Sequence, residues 1–318
     1  MILVTGGAGF IGSHLVCALV RQRRAVRVLD DFSTGKEHNL ASVIDQIEVV
    51  HGSVVDPRVV EQAMKGVRLV YHEAARPSVV LSFEQPALVH EVNATGTLNV
   101  LEAARRAKVE RLVLASSSSV YGDPEVNPST EEFREDPKSP YAAQKLISEH
   151  YCRIYAASHG LSTVVLRYYN VFGPRQDPLS PYSGVISIFC DRMLRGQIPA
   201  IQGDGEQTRD FTYVDDVVSA NLLAATAALE PGAVVNVATG RSISILHLFE
   251  VVARELGLEV RPRFLPARTG DIRHSVADIS RAVQWLGYRP SVAFEAGLRA
   301  TLDWARLEIA EPVLEKPS

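Results

Sequence analysis

Tyr141 and Lys145 stand four residues apart just after Ser139 and Pro140, a spacing that stacks both side chains on one face of a helix starting there. A lysine ammonium about 4 Å from a phenolate gains about 4 kcal/mol at an effective dielectric of ~20. That equals about three pKa units, enough to bring a phenol from ~10 toward neutrality. The pair can therefore serve as a base. Tyrosine and lysine four apart also occur by chance on many helices, so a companion group is needed. The run Ser116, Ser117, Ser118, Ser119 offers one: it follows an apolar, strand-like stretch, which sets its hydroxyls at the carboxyl end of a sheet, where open α/β sheets bind ligands. One such serine can hydrogen-bond a reacting alcohol.

The start of the chain carries the second half of such chemistry. Ile2, Leu3 and Val4 read as a short buried strand. Gly6 then lets the chain turn, Gly9 removes the side chain that would block a pyrophosphate, and Gly12 lets the following helix approach the sheet. Phe10 and Ile11 begin that helix, whose free N–H groups and positive dipole end face the phosphates. The three-and-three glycine spacing departs from the common two-and-three dinucleotide fingerprint. Asp30 closes a second strand and is placed to accept from the adenosine ribose hydroxyls; a carboxylate there repels a 2′-phosphate and favours NAD over NADP. Asp31 is counted with it, although either carboxylate can instead open the turn over 32–35.

These groups need a frame. Apolar runs over 2–4, 26–29, 47–50, 69–72, 112–115 and 163–166 alternate with helical patterns over 13–21, 57–64, 86–107 and 141–159, which predicts an α/β fold with a doubly wound parallel sheet. After Arg167 the pattern breaks at Gly173, Pro174, Pro178, Pro181 and Gly184, and again at Gly203, Gly205 and 262–270. We therefore expect a dinucleotide-binding domain over 1–167 with segments returning at about 209–239, a smaller substrate lobe from 168–208 and 240–310, and a tail over 311–318. The returns are read at 211–215 and 234–237, and Trp285 and Trp304 are expected to pack the second lobe.

The chain has 318 residues, 46% hydrophobic and 22% charged, with a formal net charge of -4. That is an ordinary globular composition, and the absence of a basic stripe argues against nucleic acid as a partner. Cys17, Cys152 and Cys190 are odd in number and scattered, as expected of buried thiols in a reducing cytoplasm. No Lys or Arg precedes Arg21 and glycines interrupt the apolar start, so neither an export signal nor a membrane span is read. The nine histidines show no metal-ligand spacing.

Taken together, the glycine cluster, Asp30, the serine run and the Tyr141/Lys145 pair resemble the short-chain dehydrogenase/reductase superfamily, in its extended branch that modifies nucleotide sugars. The likeness continues through 93–97, 167–176, 203–210, 213–216 and Gly270-Asp271. It implies that Tyr141 is the base, that Lys145 tunes it and grips the nicotinamide ribose, and that Ser117 binds the substrate hydroxyl. It further implies that Asn170, Arg209 and Arg268 hold the nucleotide diphosphate, that Tyr168 lies near cofactor and sugar, and that Asn93 supports the cofactor site. Val185, within a segment similar to hexosamine-tolerant relatives, and Asp271 join the substrate residues. Ser53 stands where relatives carry an aspartate for the adenine edge and can substitute for it. Glu73 receives no role. A homodimer through helices 86–107 and 141–159 is the implied assembly.

Dehydratases of this branch place an Asp-Glu pair after the hydroxyl residue, and UDP-glucuronate decarboxylases a Glu before Val-Tyr-Gly; here Ser118 and Ser119 stand instead. The resemblance then implies 4-epimerisation of a UDP-hexose through a 4-keto sugar. Ser275 occupies a position where galactose-specific relatives carry a bulky tyrosine, which leaves room for a 2-acetamido group and points to UDP-GlcNAc and UDP-GalNAc, with UDP-Glc and UDP-Gal also considered. A UDP-glucuronate 4-epimerase or decarboxylase, and a silent NAD-binding regulator on the same fold, are the alternatives; the complete Ser117, Tyr141 and Lys145 set argues against the last.

Overall fold

The computed structural model describes residues 1–124, 126–178, 184–267 and 272–310. Six apolar runs become strands: β1 (Ile2–Thr5), β2 (Val26–Asp30), β3 (Ile47–His51), β4 (Leu69–His72), β5 (Arg111–Ser117) and β6 (Thr163–Tyr168). The chain then forms β7 (Val171–Phe172), β8 (Ala200–Gln202), β9 (Thr208–Arg209) and β10 (Thr212–Tyr213), returns as β11 (Ala233–Val237), and leaves again through β12 (Ile243–Ser244), β13 (Arg263–Leu265) and β14 (His274–Ser275). The main sheet has seven strands in the order β11-β6-β5-β4-β1-β2-β3, every neighbour parallel. The order reverses between β1 and β4, and such a switch opens a crevice at the carboxyl ends of the strands.

The first half contributes helices α1 (Phe10–Arg21), α2 (Pro57–Ala63), α3 (Val79–Glu84), α4 (Pro86–His90), α5 (Gly96–Arg106) and α6 (Pro140–His159). The second contributes α7 (Val185–Leu194), α8 (Val214–Thr226), α9 (Ile245–Glu255), α10 (Ser280–Leu286) and α11 (Phe294–Ala310). Strand alternation assigns the faces. Ile2 and Val4 pack with Leu15 and Leu19 of α1 and Val217 of α8, whereas Leu3 packs with Val60 of α2, Val100 of α5 and Cys152 of α6. Each such fully buried side chain contributes about 1.5–3 kcal/mol. A separate core built on Phe172, Phe189, Phe211, Tyr213, Phe249 and Leu298 forms the second lobe. Cys17, Cys152 and Cys190 are free and buried. Among the described residues no helix is long and apolar enough to cross a membrane.

Several details differ from the sequence reading. β5 continues to Ser117 and β6 to Tyr168, so half of the serine run is strand. The helix expected over 86–107 is broken by a π turn at Glu91–Thr95. There the Asn93 carbonyl accepts from the Thr97 hydroxyl at 2.6 Å and the Ser148 hydroxyl at 2.9 Å, competing with the regular helical bond. Helix α3 was not foreseen; Ser78 caps it by accepting from the Leu81 amide at 2.9 Å. Segment 211–215 does not return to the main sheet, because β10 pairs with β7 alone before α8 docks on the sheet. Residues Ala282, Leu286 and Tyr288, expected in the second lobe, belong to the first core. Trp285 is 40% exposed, with the Arg281 guanidinium 4.5 Å over its ring.

Candidate active site

The glycine turn has the shape its spacing demands. Gly6 sits at φ 66°, and a Cβ there would come within 2.7 Å of the Ala74 backbone; one on Gly12 would fall 2.1 Å from the Gly6 carbonyl oxygen. Gly9 ends the turn as the N-cap of α1 without any capping side chain, so the first amides of the helix are left for another acceptor. A Cβ on Gly9 would meet only the Gly6 carbonyl, at 3.2 Å, and its other side opens on a cavity also lined by Phe10, Ile11, Asp30, Asp31 and Ser53. This cradle fits a pyrophosphate. Nearby, Asn39 donates to the Ala8 carbonyl at 2.9 Å while its Oδ1 is buried without a hydrogen-bond partner, an acceptor left for a ligand.

Asp30 does more than wait for a ribose. Its carboxylate accepts from the Ala8 and Phe32 amides, each at 2.8 Å, which ties the glycine turn to the end of β2. Burial raises its pKa and the two amides oppose that. Asp31 accepts from the Ser33 amide at 3.0 Å and so opens the following turn. Burial acts to raise the Asp31 carboxyl, but the Ser33 hydroxyl and amide, with Arg76 and Ser53, hold it below the usual range.

Ser117, Tyr141 and Lys145 meet at the end of β5. Ser139 caps α6 by accepting from the Ala142 amide at 3.1 Å, which starts the helix at the register that brings Tyr141 and Lys145 to the cavity beside Ser117. Tyr141 is pushed up to about 12 by burial, against a hydrogen bond from Ser117. The Lys145 ammonium donates to the Ala115 carbonyl at 2.8 Å, an anchor that the four-residue spacing alone does not predict. Burial brings Lys145 down to about 8, opposed by the Glu73 and Glu149 charges. Beneath them, Arg167, 1% exposed, donates to Glu149 at 3.0 and 2.6 Å, and the Ser116 hydroxyl donates to the same carboxylate, locking β5, β6 and α6 together.

In the second lobe, β9 and β14 pair in parallel with Arg209 opposite Ser275, and both line the cavity. The Asp210 amide donates to the Ser275 carbonyl at 2.8 Å. Asn170, in the left-handed region at φ 33°, donates to the Asp210 carbonyl at 3.2 Å and faces the same space, as does Tyr168. Two expected residues lie off the wall. Val185 opens α7 beyond the lining. Asn93 accepts from the Arg76 amide at 2.8 Å and donates to Gln144 at 3.3 Å, fastening a loop that forms the wall. Arg268 and Asp271 fall outside the described residues. The wall also holds charged residues without an expected role, among them Lys36, whose ammonium is 3.1 Å from Asp177, Arg76, and Glu73. The signal for Glu73 was its place directly after β4, at the sheet edge where ligands bind.

The glycine turn, Ser117, Tyr141, Lys145, Arg209 and Ser275 all line one cavity of about 800 Å³. Residues 2–238 match the NAD dependent epimerase/dehydratase family. The chain is 40% identical over 308 residues to the UDP-glucose 4-epimerase of Mycolicibacterium smegmatis, covering 96% of this chain and 98% of that one. A UDP-N-acetylglucosamine 4-epimerase from Methanobrevibacter ruminantium, solved in complex with UDP-N-acetylmuramic acid, superposes with a TM-score of 0.93 at 39% identity over 96% of this chain and 98% of that chain. The UDP-glucose 4-epimerase of Thermus thermophilus in complex with NAD gives 0.88 at 41% identity, again over 96% and 98%.

Proposed function

The chain belongs to the NAD dependent epimerase/dehydratase family, and we propose that within it the protein is a nucleotide-sugar 4-epimerase acting on UDP-GlcNAc and UDP-GalNAc, with UDP-Glc and UDP-Gal also accepted. The observation that carries this is the shared cavity, lined together by the glycine turn, by Ser117, Tyr141 and Lys145, and by Arg209 and Ser275.

Ser117 orients the sugar hydroxyl toward Tyr141, which takes its proton and later returns it. Bound NAD supplies the acceptor and donor of the hydride at carbon 4, and its oxidised ring brings positive charge that favours the Tyr141 phenolate. Lys145, buried and anchored on Ala115, holds the ribose side of the site. Asp30 and Ser53 serve the adenosine end, and Arg209, Asn170 and Arg268 the diphosphate of the sugar nucleotide. Ser118 and Ser119 offer no carboxylate, so an elimination would lack its acid and base. The small Ser275 beside Arg209 supports the acetamido sugar. A second copy of the chain is the assembly we favour, through the packed helices α3, α4 and α6, on which Val80, Phe83, Leu88 and Ile154 are exposed. The three free thiols suit the cytoplasm.

Incubation with UDP-GlcNAc, UDP-Glc and UDP-GlcA in turn, followed by anomeric proton NMR, tests the reading. The 4-epimer of UDP-GlcNAc is the expected product; turnover of UDP-GlcA alone would reject the substrate assignment. Ser275→Tyr is expected to lose the acetamido sugar at least tenfold more than the plain hexose, a difference of about 1.4 kcal/mol in the barrier. Equal loss of both would mean that Ser275 does not shape the pocket.

A further inference from the structure

Glu73 lines the cavity with Tyr168, Tyr141 and Lys145, yet no step above uses it. Its surroundings are specific. Asn221 donates from Nδ2 to the Val217 carbonyl at 2.9 Å and to the Tyr168 hydroxyl at 2.7 Å, which sets the orientation of the amide. The Tyr168 hydroxyl, accepting there, spends its own proton on Glu73 Oε1 at 2.8 Å. These bond directions suit an ionised acceptor. The titratable groups around it are Lys145 from α6, Tyr168 from β6 and Tyr71 from β4, of which Lys145 alone can carry charge near neutrality. Burial pushes Glu73 up to about 7, against the Tyr168 hydrogen bond and the Lys145 charge.

We propose that the Glu73 carboxylate is a counter-charge for the oxidised nicotinamide, biasing the bound cofactor toward NAD and against the reduced enzyme. The assignment rests on the epimerase reading. Removing hydride from the sugar carbon carries two electrons and one proton to the ring and cancels its positive charge, while the hydroxyl proton goes to Tyr141. A neighbouring anion opposes that half of the cycle and drives its reversal, in which the same hydride returns to the sugar. An epimerase gains from this bias, because its reduced form is useful only while the ketone is still bound. Reduction also weakens the hold on the anion, so Glu73 takes up a proton when the ring becomes neutral.

The test is a redox titration of the NAD-loaded protein against a dye couple without sugar, read by dihydronicotinamide absorbance. Glu73→Gln keeps the shape and the acceptor oxygen but not the charge. We expect its bound cofactor to shift roughly tenfold toward the reduced form, about 30 mV for this two-electron couple, with Glu73→Asp restoring much of the difference. In the wild type the midpoint should fall more steeply with pH around neutrality than in Glu73→Gln, which reports the extra proton. Equal midpoints at equal NAD occupancy would overturn the assignment, as would a wild-type slope showing one proton throughout. Failure of the wild type to hold NAD would instead remove the epimerase reading beneath it.

Discussion

Tyr141 pays a desolvation cost that its own helix does not repay: the phenol is pushed up to about 12, and the ammonium one turn away is committed to Ala115. Positive charge from an oxidised nicotinamide would favour the phenolate. Tyr141→Phe is therefore expected to cut turnover by about 10²–10⁴-fold while NAD content and melting temperature stay at wild-type levels; undiminished activity would remove Tyr141 from the reaction. A second expectation concerns pH. Folding raises Glu73 from 4.5 to about 7, so its contribution to stability is full below 4.5 and is lost as pH rises through about 7. In the ligand-free protein, Glu73→Gln should melt with the wild type in acid and above it in base, a crossing that melts across a pH series would reveal. Ser117, Tyr141 and Lys145 were legible because a strand end and a helical repeat fix their neighbours. Glu73 was not, since its meaning depends on Tyr168, which reaches it from a distant strand, and no local pattern encodes that meeting.

Among the elements, the entry to α1 has the least tolerance. Adding a methyl at Gly12 sets a carbon 2.1 Å from the Gly6 carbonyl oxygen, so the helix must move away from the turn. Gly12→Ala is expected to cost about 1–3 kcal/mol, as overpacking does, and to weaken NAD binding more than it lowers the unfolding midpoint; calorimetric titration beside urea unfolding separates the two. Strands and long helices of the first half were readable because burial on both sheet faces leaves continuous apolar runs. The π turn was not readable, because Ser148 causes part of it from another helix. Nor was the pairing of Arg209 with Ser275: two-residue strands such as β9 and β14 carry no period, and only the fold brings them together.

For the whole molecule, Phe83 is a large apolar side chain 61% exposed on α3, a helix that packs against α4 and α6, where Leu88 and Ile154 are also exposed. If this face joins two copies, Phe83→Glu should yield a species of half the wild-type mass by light scattering, with secondary structure unchanged; a mass equal to the wild type would refute the interface. A doubly wound parallel sheet was implied by the alternation of strands and helices, whereas the order of its strands was not, and the division into lobes was only approximate, since α10 crosses back to the first core while β10 does not. The position of β11 has one more consequence. It is the margin of the sheet beside β6, yet the polypeptide reaches it only after α7 and α8 have been made. During synthesis the cofactor cradle is complete while β6 still shows a raw hydrogen-bonding border, open to association with other nascent chains. Sealing that border waits for a strand that emerges from the ribosome late.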